Sequence, residues 1–469
     1  MIIKSISENN KSIPYTHQNN ELIIQPTEIK TDSIFNYSFH YEGIPKDGLI
    51  ISNNLYGDRT FFGDNWPNRA HNWFPCVDHP SDKATIEYTI TAPNHYQVIA
   101  NGLEIEETNI NSNLKQYNYK SNTPIPTKVM VIGIAKFAVQ NIGETHNIPV
   151  STWVYPQTKA AGFYDFSIAK DILDFFIENV GEYPFQKLAN VQSISRFGAM
   201  ENAGNIFYFE NSVTGNQEHK DLIAHEIAHQ WFGNSATEID WAHLWLSEGF
   251  ATYLTDLYIL KSDGEAAFKN RVIEERNKVL DFYKVQQTPI VDTKTTNYMS
   301  LLNPNSYQKG AWVLHMLKNN VGEESFWEGV KTYYDFVFKP NERQLLHDFK
   351  FKVSNEYFPV KSKKAKARRS VAQKMIKHFI SLGVDPFVIV DAMLYSIEIA
   401  QTYSSEKIIK QELFFKSMLN SFEQAISFMI ENGILYDFKN RVEAIRTEAE
   451  NQEWFNVFEF NSIIEKFDY

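Results

Sequence analysis

The hydrophobic pattern of the chain changes near residue 160. Before that point, short runs rich in β-branched and aromatic residues are separated by Gly, Asn and Pro, which is typical of antiparallel strands. We predict strands within six of these runs, namely Ile34–Tyr41, Ala84–Ala92, Val98–Ile105, Lys115–Lys120, Lys128–Phe137 and Val150–Tyr155. Residues 1–155 are therefore expected to form a β domain.

After residue 160, apolar positions recur with the helical period. Phe163–Val180 is predicted to be an amphipathic helix that ends before Gly181 and Pro184. Further on we predict two strands, over Leu188–Ile194 and Asn205–Glu210, followed by a helix that contains His225. Two more helices are predicted over about Leu244–Lys261 and about Lys309–Asn319. This mixture indicates an α/β domain over residues 156–345.

The last part of the chain has a different character. Residues 346–370 include six basic residues within Lys361–Arg369, which we interpret as a solvated linker or helix face rather than a phosphate or nucleic-acid site. Residues 371–469 are expected to be α-helical, with helices over Val371–Leu382, Val384–Tyr403, Ser405–Gly433 and Phe438–Phe467. The predicted fold class is a multidomain α+β protein.

Composition narrows the class of protein. The 469 residues are 43% hydrophobic and 22% charged, as in ordinary globular proteins, and the net charge of −12 argues against nucleic-acid binding. A single cysteine, Cys76, excludes an intrachain disulfide, and we expect it to be structural. No run is apolar enough for a transmembrane segment or a signal peptide, so we expect a cytoplasmic protein, or an extracytoplasmic one if a leader was removed before Met1. No feature indicates the oligomeric state.

The chemistry is concentrated in one stretch, His225-Glu226-Ile227-Ala228-His229. Histidines four residues apart lie on the same face of a helix, so both imidazoles can reach one metal ion. Glu226 is placed to take a proton from water activated by that metal. Glu248 follows His229 after 18 intervening residues and offers a third ligand. Two histidines and one glutamate form an open catalytic zinc set, so we predict one Zn²⁺ per chain.

Three other segments complete a resemblance. The chain contains Gly198-Ala199-Met200-Glu201-Asn202, Ser306-Tyr307-Gln308-Lys309-Gly310-Ala311 and Phe74-Pro75-Cys76-Val77-Asp78-His79-Pro80. Together with the zinc motif, these resemble, in order, the motifs of the gluzincin aminopeptidases of the aminopeptidase N and leukotriene hydrolase type. The resemblance covers about Gly57–Tyr334 and does not extend to the C-terminal third.

The resemblance implies roles for these residues. A thermolysin-like catalytic domain would follow an N-terminal β domain that begins here with fewer strands than the family's usual copy. Glu226 would be the general base and Tyr307 a donor to the oxyanion. Substrate binding would fall to Gly198, Ala199, Met200, Glu201 and Asn202, where the backbone pairs with an extended peptide and Glu201 holds its free α-ammonium.

One further position is ambiguous. Asp64 lies about where the family has a glutamine that helps to hold the substrate amine, but a Gly-Asp-Asn sequence is equally typical of a turn.

Three functions remain open from the sequence. The first is a zinc aminopeptidase that acts on peptides with a free N-terminus. The second is an epoxide hydrolase with side aminopeptidase activity, as in some relatives. The third is a catalytically weakened scaffold protein with a helical interaction module. The helical tail could be a divergent cap over the cleft, a fused module, or the product of a truncated gene.

Overall fold

The computed structural model describes residues 1–27 and 34–338. The first 154 residues contain fourteen strands among the described residues. They are β1 Ile2–Glu8, β2 Lys11–Ser12, β3 Tyr15–Gln18, β4 Glu21–Ile24, β5 Tyr37–Glu42, β6 Gly48–Asn53, β7 Arg59–Asp64, β8 Lys83–Pro93, β9 Gln97–Ala100, β10 Leu103–Asn109, β11 Leu114–Pro126, β12 Ile132–Ala135, β13 Ala138–Thr145 and β14 Ile148–Val154.

Helices predominate in the remainder of the described chain. Three more strands are β15 Leu188–Ser193, β16 Ala199–Met200 and β17 Asn205–Phe209. The α-helices are α1 Lys159–Asp165, α2 Ala169–Val180, α3 Lys220–Ala228, α4 Trp245–Asp263, α5 Glu265–Val285, α6 Gly310–Val321 and α7 Glu323–Phe338. A π-helical turn, Asn305–Lys309, precedes α6. Across these residues, no helix combines the length and the apolar character needed to traverse a bilayer.

Antiparallel sheets build the N-terminal part. One sheet has the order β2-β1-β5, and β3 and β4 form a hairpin beside its small apolar core. Two further sheets have the orders β10-β11-β8 and β6-β7-β12-β9. Alternating side chains of β8, β9, β11 and β12 meet in one core that includes Val98, Tyr117 and Tyr119. This is the sandwich packing expected when each sheet buries one face.

A five-stranded mixed sheet supports the second half of the described chain. Its order is β13-β14-β15-β17-β16, in which β14, β15 and β17 run parallel and β13 and β16 are antiparallel. All six residues of β15 are buried, because helices and strands cover both faces. The apolar faces of α2, α3 and α4 share one core with this sheet. The short strand β16 lies at the edge of the sheet, next to α3.

The predicted fold class is confirmed: a β domain is followed by an α/β region. The helix predicted over Leu244–Lys261 corresponds closely to α4. The helix predicted over Phe163–Val180 was too long, since a 3₁₀ turn at Phe166–Ile168 separates α1 from α2. The strands before residue 34, between residues 48 and 64 and over Ala138–Thr145 were missed, and most of their runs are short or partly exposed. The basic run and the four C-terminal helices lie outside the described residues.

Candidate metal centre and cleft

Three side chains from α3 and α4 converge on one point. His225 lies in the last turn of α3, His229 follows the end of that helix, and Glu248 lies in the first turn of α4. The two Nε2 atoms are 3.0 Å apart, and Glu248 Oε2 lies 3.3 Å from His225 Nε2 and 3.2 Å from His229 Nε2. Tetrahedral zinc with bonds of about 2.0–2.1 Å needs its ligand atoms about 3.3 Å apart. The three atoms therefore fit zinc.

Hydrogen bonding orients His229 as a ligand. Its Nδ1 lies 3.0 Å from the carbonyl oxygen of Phe232 and 3.2 Å from Ser247 Oγ. Because the carbonyl can only accept, Nδ1 carries the proton and Nε2 presents its lone pair to the other two groups. This is the outer-shell arrangement that commonly holds a metal-ligating histidine.

The electrostatics of the cluster favour positive charge. Burial favours the neutral form of Glu248, which is 4% exposed, but the imidazoles of His229 and His225 hold its pKa well below the usual range. Burial would lower the pKa of His229, yet the Glu248 carboxylate outweighs burial and raises that pKa to about 10. The carboxylate thus stabilises a positive charge at the imidazole pair, whether a proton or a divalent cation supplies it.

Two more carboxylates line the same pocket as the triad, together with Tyr307. Glu226 and Glu201 are 5% and 6% exposed. Within the described chain, Glu226 Oε2 and Glu201 Oε1 are buried without a hydrogen-bond partner. Burial raises the pKa of Glu226 well above its usual value. Buried polar atoms without partners are costly, so such a group in a pocket points to a ligand that satisfies it.

The predicted substrate-binding segment runs along the sheet edge. Gly198 is exposed and its carbonyl accepts a hydrogen bond from Phe209 N at 2.9 Å. Ala199 and Met200 form β16 and line the pocket, and Asn202 is fully buried behind it. The structure thus brings Glu201 into the pocket of the metal triad.

Two residues that the sequence reading missed fix the position of Glu201. Gln230 Nε2 and Asn234 Nδ2 donate to the Glu201 carbonyl at 2.9 and 2.6 Å. Gln230 Oε1 also accepts from Gly204 N at 2.9 Å. Both side chains follow the second histidine closely, and both are fully buried. A pair of amides at the buried end of a metal helix is the signal that could have identified them.

Tyr307 lies in the π-helical turn before α6. Its ring lies nearly parallel to that of His225, with centroids 6.0 Å apart. Burial and the nearby Glu248 raise its pKa well above the usual value, so the phenol keeps its proton at neutral pH. The turn is held there by a close helix contact, since a Cβ on Gly249 would lie 2.8 Å from Gly310 Cα. Glycine at both positions lets α4 and α6 approach.

The structure also shows the surroundings of Asp64 and Cys76. Asp64 ends β7, is 1% exposed and pairs with Arg69, so the turn interpretation is wrong. Asp64 does not line the pocket, whereas Trp66, two residues further along the chain, does. Burial raises the pKa of Cys76 to about 12, which agrees with a structural rather than a nucleophilic thiol.

The fold and the cluster together define a class. A mixed sheet whose edge strand borders two helices carrying a His-His-Glu triad is the architecture of a thermolysin-like metallopeptidase. The Peptidase family M1 domain matches residues 164–363, and the Peptidase M1 N-terminal domain matches residues 4–129. The chain belongs to peptidase family M1. A family of unknown function, DUF6155, matches residues 318–468.

Individual relatives agree with this assignment. The chain is 30% identical over 320 residues to glutamyl aminopeptidase of Rattus norvegicus, covering 64% of this chain and 33% of the relative. It is 28% identical over 310 residues to leucyl aminopeptidase of Saccharolobus solfataricus, covering 62% of this chain and 38% of that relative. The chain thus spans about a third of the length of these relatives.

Solved structures share the fold. An M1 zinc metallopeptidase from Deinococcus radiodurans with a bound Tyr-Ser-Ala substrate has a TM-score of 0.61 and 21% identity, over 74% of this chain and 80% of that one.

Proposed function

We propose that this chain is a zinc-dependent aminopeptidase that hydrolyses the first peptide bond of peptides with a free N-terminus. The observation that carries this proposal is the position of Glu201. A buried carboxylate with an unpartnered oxygen lies in the same pocket as a triad with zinc spacing. An ammonium is the ligand that such a carboxylate accepts best. Glu201 would therefore bind the chain end while the scissile bond lies at the triad.

His225, His229 and Glu248 would hold the metal. Zn²⁺ bound there would polarise the scissile carbonyl and lower the pKa of water. The names of the similar proteins support this choice of metal and reaction, since they include M1 zinc metallopeptidases and aminopeptidases.

Three other groups divide the remaining work. Glu226 accepts a proton from the attacking water and delivers it to the departing amine. Tyr307 keeps its proton and donates a hydrogen bond to the oxyanion as the carbonyl is attacked. The edge strand β16 offers backbone groups to an extended substrate, in the manner of strand addition.

Metal content and turnover of single variants test this proposal. The wild-type chain should bind one equivalent of zinc, measured by mass spectrometry, and hydrolyse aminoacyl amides in a chelator-sensitive way. Glu226→Gln should keep the zinc and lose turnover, because the amide cannot accept the proton. Glu201→Gln, with the same shape and no charge, should keep zinc and raise KM for free amines. Turnover that persists in Glu226→Gln, or in protein freed of zinc, would contradict the proposed roles.

A further inference from the structure

One wall of the pocket is apolar. It is formed by Trp66, Phe197, Met200 and Leu302, which line the pocket together with the carboxylates and imidazoles of the metal centre and belong to or pack against one apolar cluster. These four side chains come from three separate segments of the chain, and of the four only Met200 belongs to a motif that the sequence shows. The other three residues of the wall are therefore identified only by the structure.

The site geometry assigns an occupant to this wall. If Glu201 binds the α-ammonium and the triad binds the scissile carbonyl, the Cα between those two groups is fixed. The side chain on that Cα must then leave toward the part of the pocket that neither anchor occupies. Resting on the proposed function, we infer that the wall receives the first side chain of the substrate and selects apolar side chains against acidic ones.

Aromatic contacts hold Trp66, a buried part of this wall, in place. Trp66 is 2% exposed, and its ring packs edge-to-face against Phe197 at 6.0 Å and Trp241 at 5.5 Å. Edge-to-face pairs at such distances are favourable beyond the area that they bury. A preformed apolar surface gains affinity from an apolar side chain without paying to order itself.

Apart from the two metal-binding histidines, the described residues that line this pocket include no basic side chain. Arg196, next to Phe197, has its guanidinium 2.6 Å from Asp47 and its backbone N–H 3.3 Å from Asp64. Lys128, whose Nζ lies 5.4 Å from the centre of the Trp241 ring, is paired with Glu238 at 2.6 Å. Both cations are thus neutralised by neighbours.

The charges that do line the pocket are carboxylates. Glu201, Glu226 and Glu248 line the pocket, and the metal with its two histidine ligands would offset their charge. An acidic first side chain would lose its water against the apolar wall and find no partner there. The rat relative is named a glutamyl aminopeptidase, but the described residues of this pocket suit the chemistry in the name of the leucyl relative.

Turnover of a matched substrate series tests the inference. Zinc-loaded full-length protein is assayed with the coumarin amides of leucine, methionine, glutamine and glutamate. Glutamine has the shape of glutamate without its charge, so it separates size from charge. We expect kcat/KM for leucine to exceed that for glutamate by at least about 100-fold, with glutamine between them.

Variants at Phe197 locate the effect. Phe197→Ala should lower kcat/KM for leucine and leave that for glutamate nearly unchanged. Phe197→Arg should supply the missing cation and reduce the ratio of leucine to glutamate by about tenfold or more. Phe35→Ala, at a 38%-exposed phenylalanine outside the pocket, should match the wild type. Equal or better turnover of glutamate by the wild type would overturn the inference while leaving the aminopeptidase proposal intact.

Binding without turnover separates the two proposals. Calorimetry with leucine hydroxamate and glutamate hydroxamate should show the same preference for leucine. A chain that prefers leucine hydroxamate but cleaves no amide would contradict the proposed function and keep the pocket assignment. A chain that binds both hydroxamates equally would overturn the pocket assignment.

Discussion

A buried ion pair behind the apolar wall offers a sharp test of the structure. Lys128 and Glu238 are 1% and 0% exposed and lie 2.6 Å apart, and Glu238 Oε2 has no other described partner. Lys128→Met would leave Glu238 buried without its counter-charge. Removing one member of a buried pair typically costs about 3–5 kcal/mol.

The cost should depend on pH, and its sign can be worked out. Burial already raises the pKa of Glu238, and Lys128 opposes that rise, so the variant raises the pKa further. When the pKa of a carboxyl group is higher in the folded than in the unfolded protein, its contribution to stability is fully present below the unfolded-state pKa of about 4.3. That contribution is lost as the pH rises toward the folded-state pKa. Keeping Glu238 neutral costs at most about 1.4 kcal/mol per pH unit, or about 5 kcal/mol at pH 8 and about 1.6 kcal/mol at pH 5.5.

Thermal unfolding followed by circular dichroism at the two pH values measures this difference. Lys128→Met should unfold roughly 5–10 °C below the wild type at pH 8 and much nearer to it at pH 5.5. The double variant Lys128→Met with Glu238→Gln should recover most of the loss and its pH dependence. Lys120→Met, which breaks the exposed pair with Glu87, should change stability by less than about 1 kcal/mol. A Lys128→Met deficit equal at both pH values would refute this reasoning.

Further predictions concern the residues that hold the cleft. Gly249→Ala should cost about 1–3 kcal/mol and lower kcat, because its Cβ would force α4 from Gly310; unchanged unfolding and kinetics would argue against the close contact. Gln230→Leu should raise KM and lower the free energy of unfolding by about 1–3 kcal/mol, since the carbonyl of Glu201 loses a buried donor. Unfolding and steady-state kinetics measure both effects, and an unaltered KM would argue against this role of Gln230. Tyr307→Phe should lower kcat about 10²–10³-fold with little change in KM, and steady-state kinetics showing a change confined to KM would exclude an oxyanion role.

The metal centre was predictable because its geometry is mostly local. A helix places residues four apart on one face, which aligns His225 with His229 whatever the rest of the fold. Glu248 needed only a second helix after a short loop, and α4 begins within one residue of the predicted start. The β domain and the α/β region were likewise visible from the change in hydrophobic period.

Other parts depend on contacts that no local pattern encodes. Gln230 and Asn234 act on the backbone of Glu201, about thirty residues away, through hydrogen bonds that form only when α3 packs on β16. Trp66 reaches the pocket because β7 ends beside the loop that carries Phe197. The environment of Asp64 stayed open because a Gly-Asp-Asn sequence is typical of a turn, whereas its pairing with Arg69 and with the distant Arg196 is seen only in the fold.

The central claim is that a zinc triad and an acidic anchor together restrict cleavage to free chain ends. Mass spectrometry of the products from one peptide, offered with a free and with an acetylated N-terminus, tests it most directly. Zinc-loaded protein should release single residues in order from the free peptide and leave the acetylated one whole. Cleavage of the acetylated peptide at the same rate, or at internal bonds, would contradict the account.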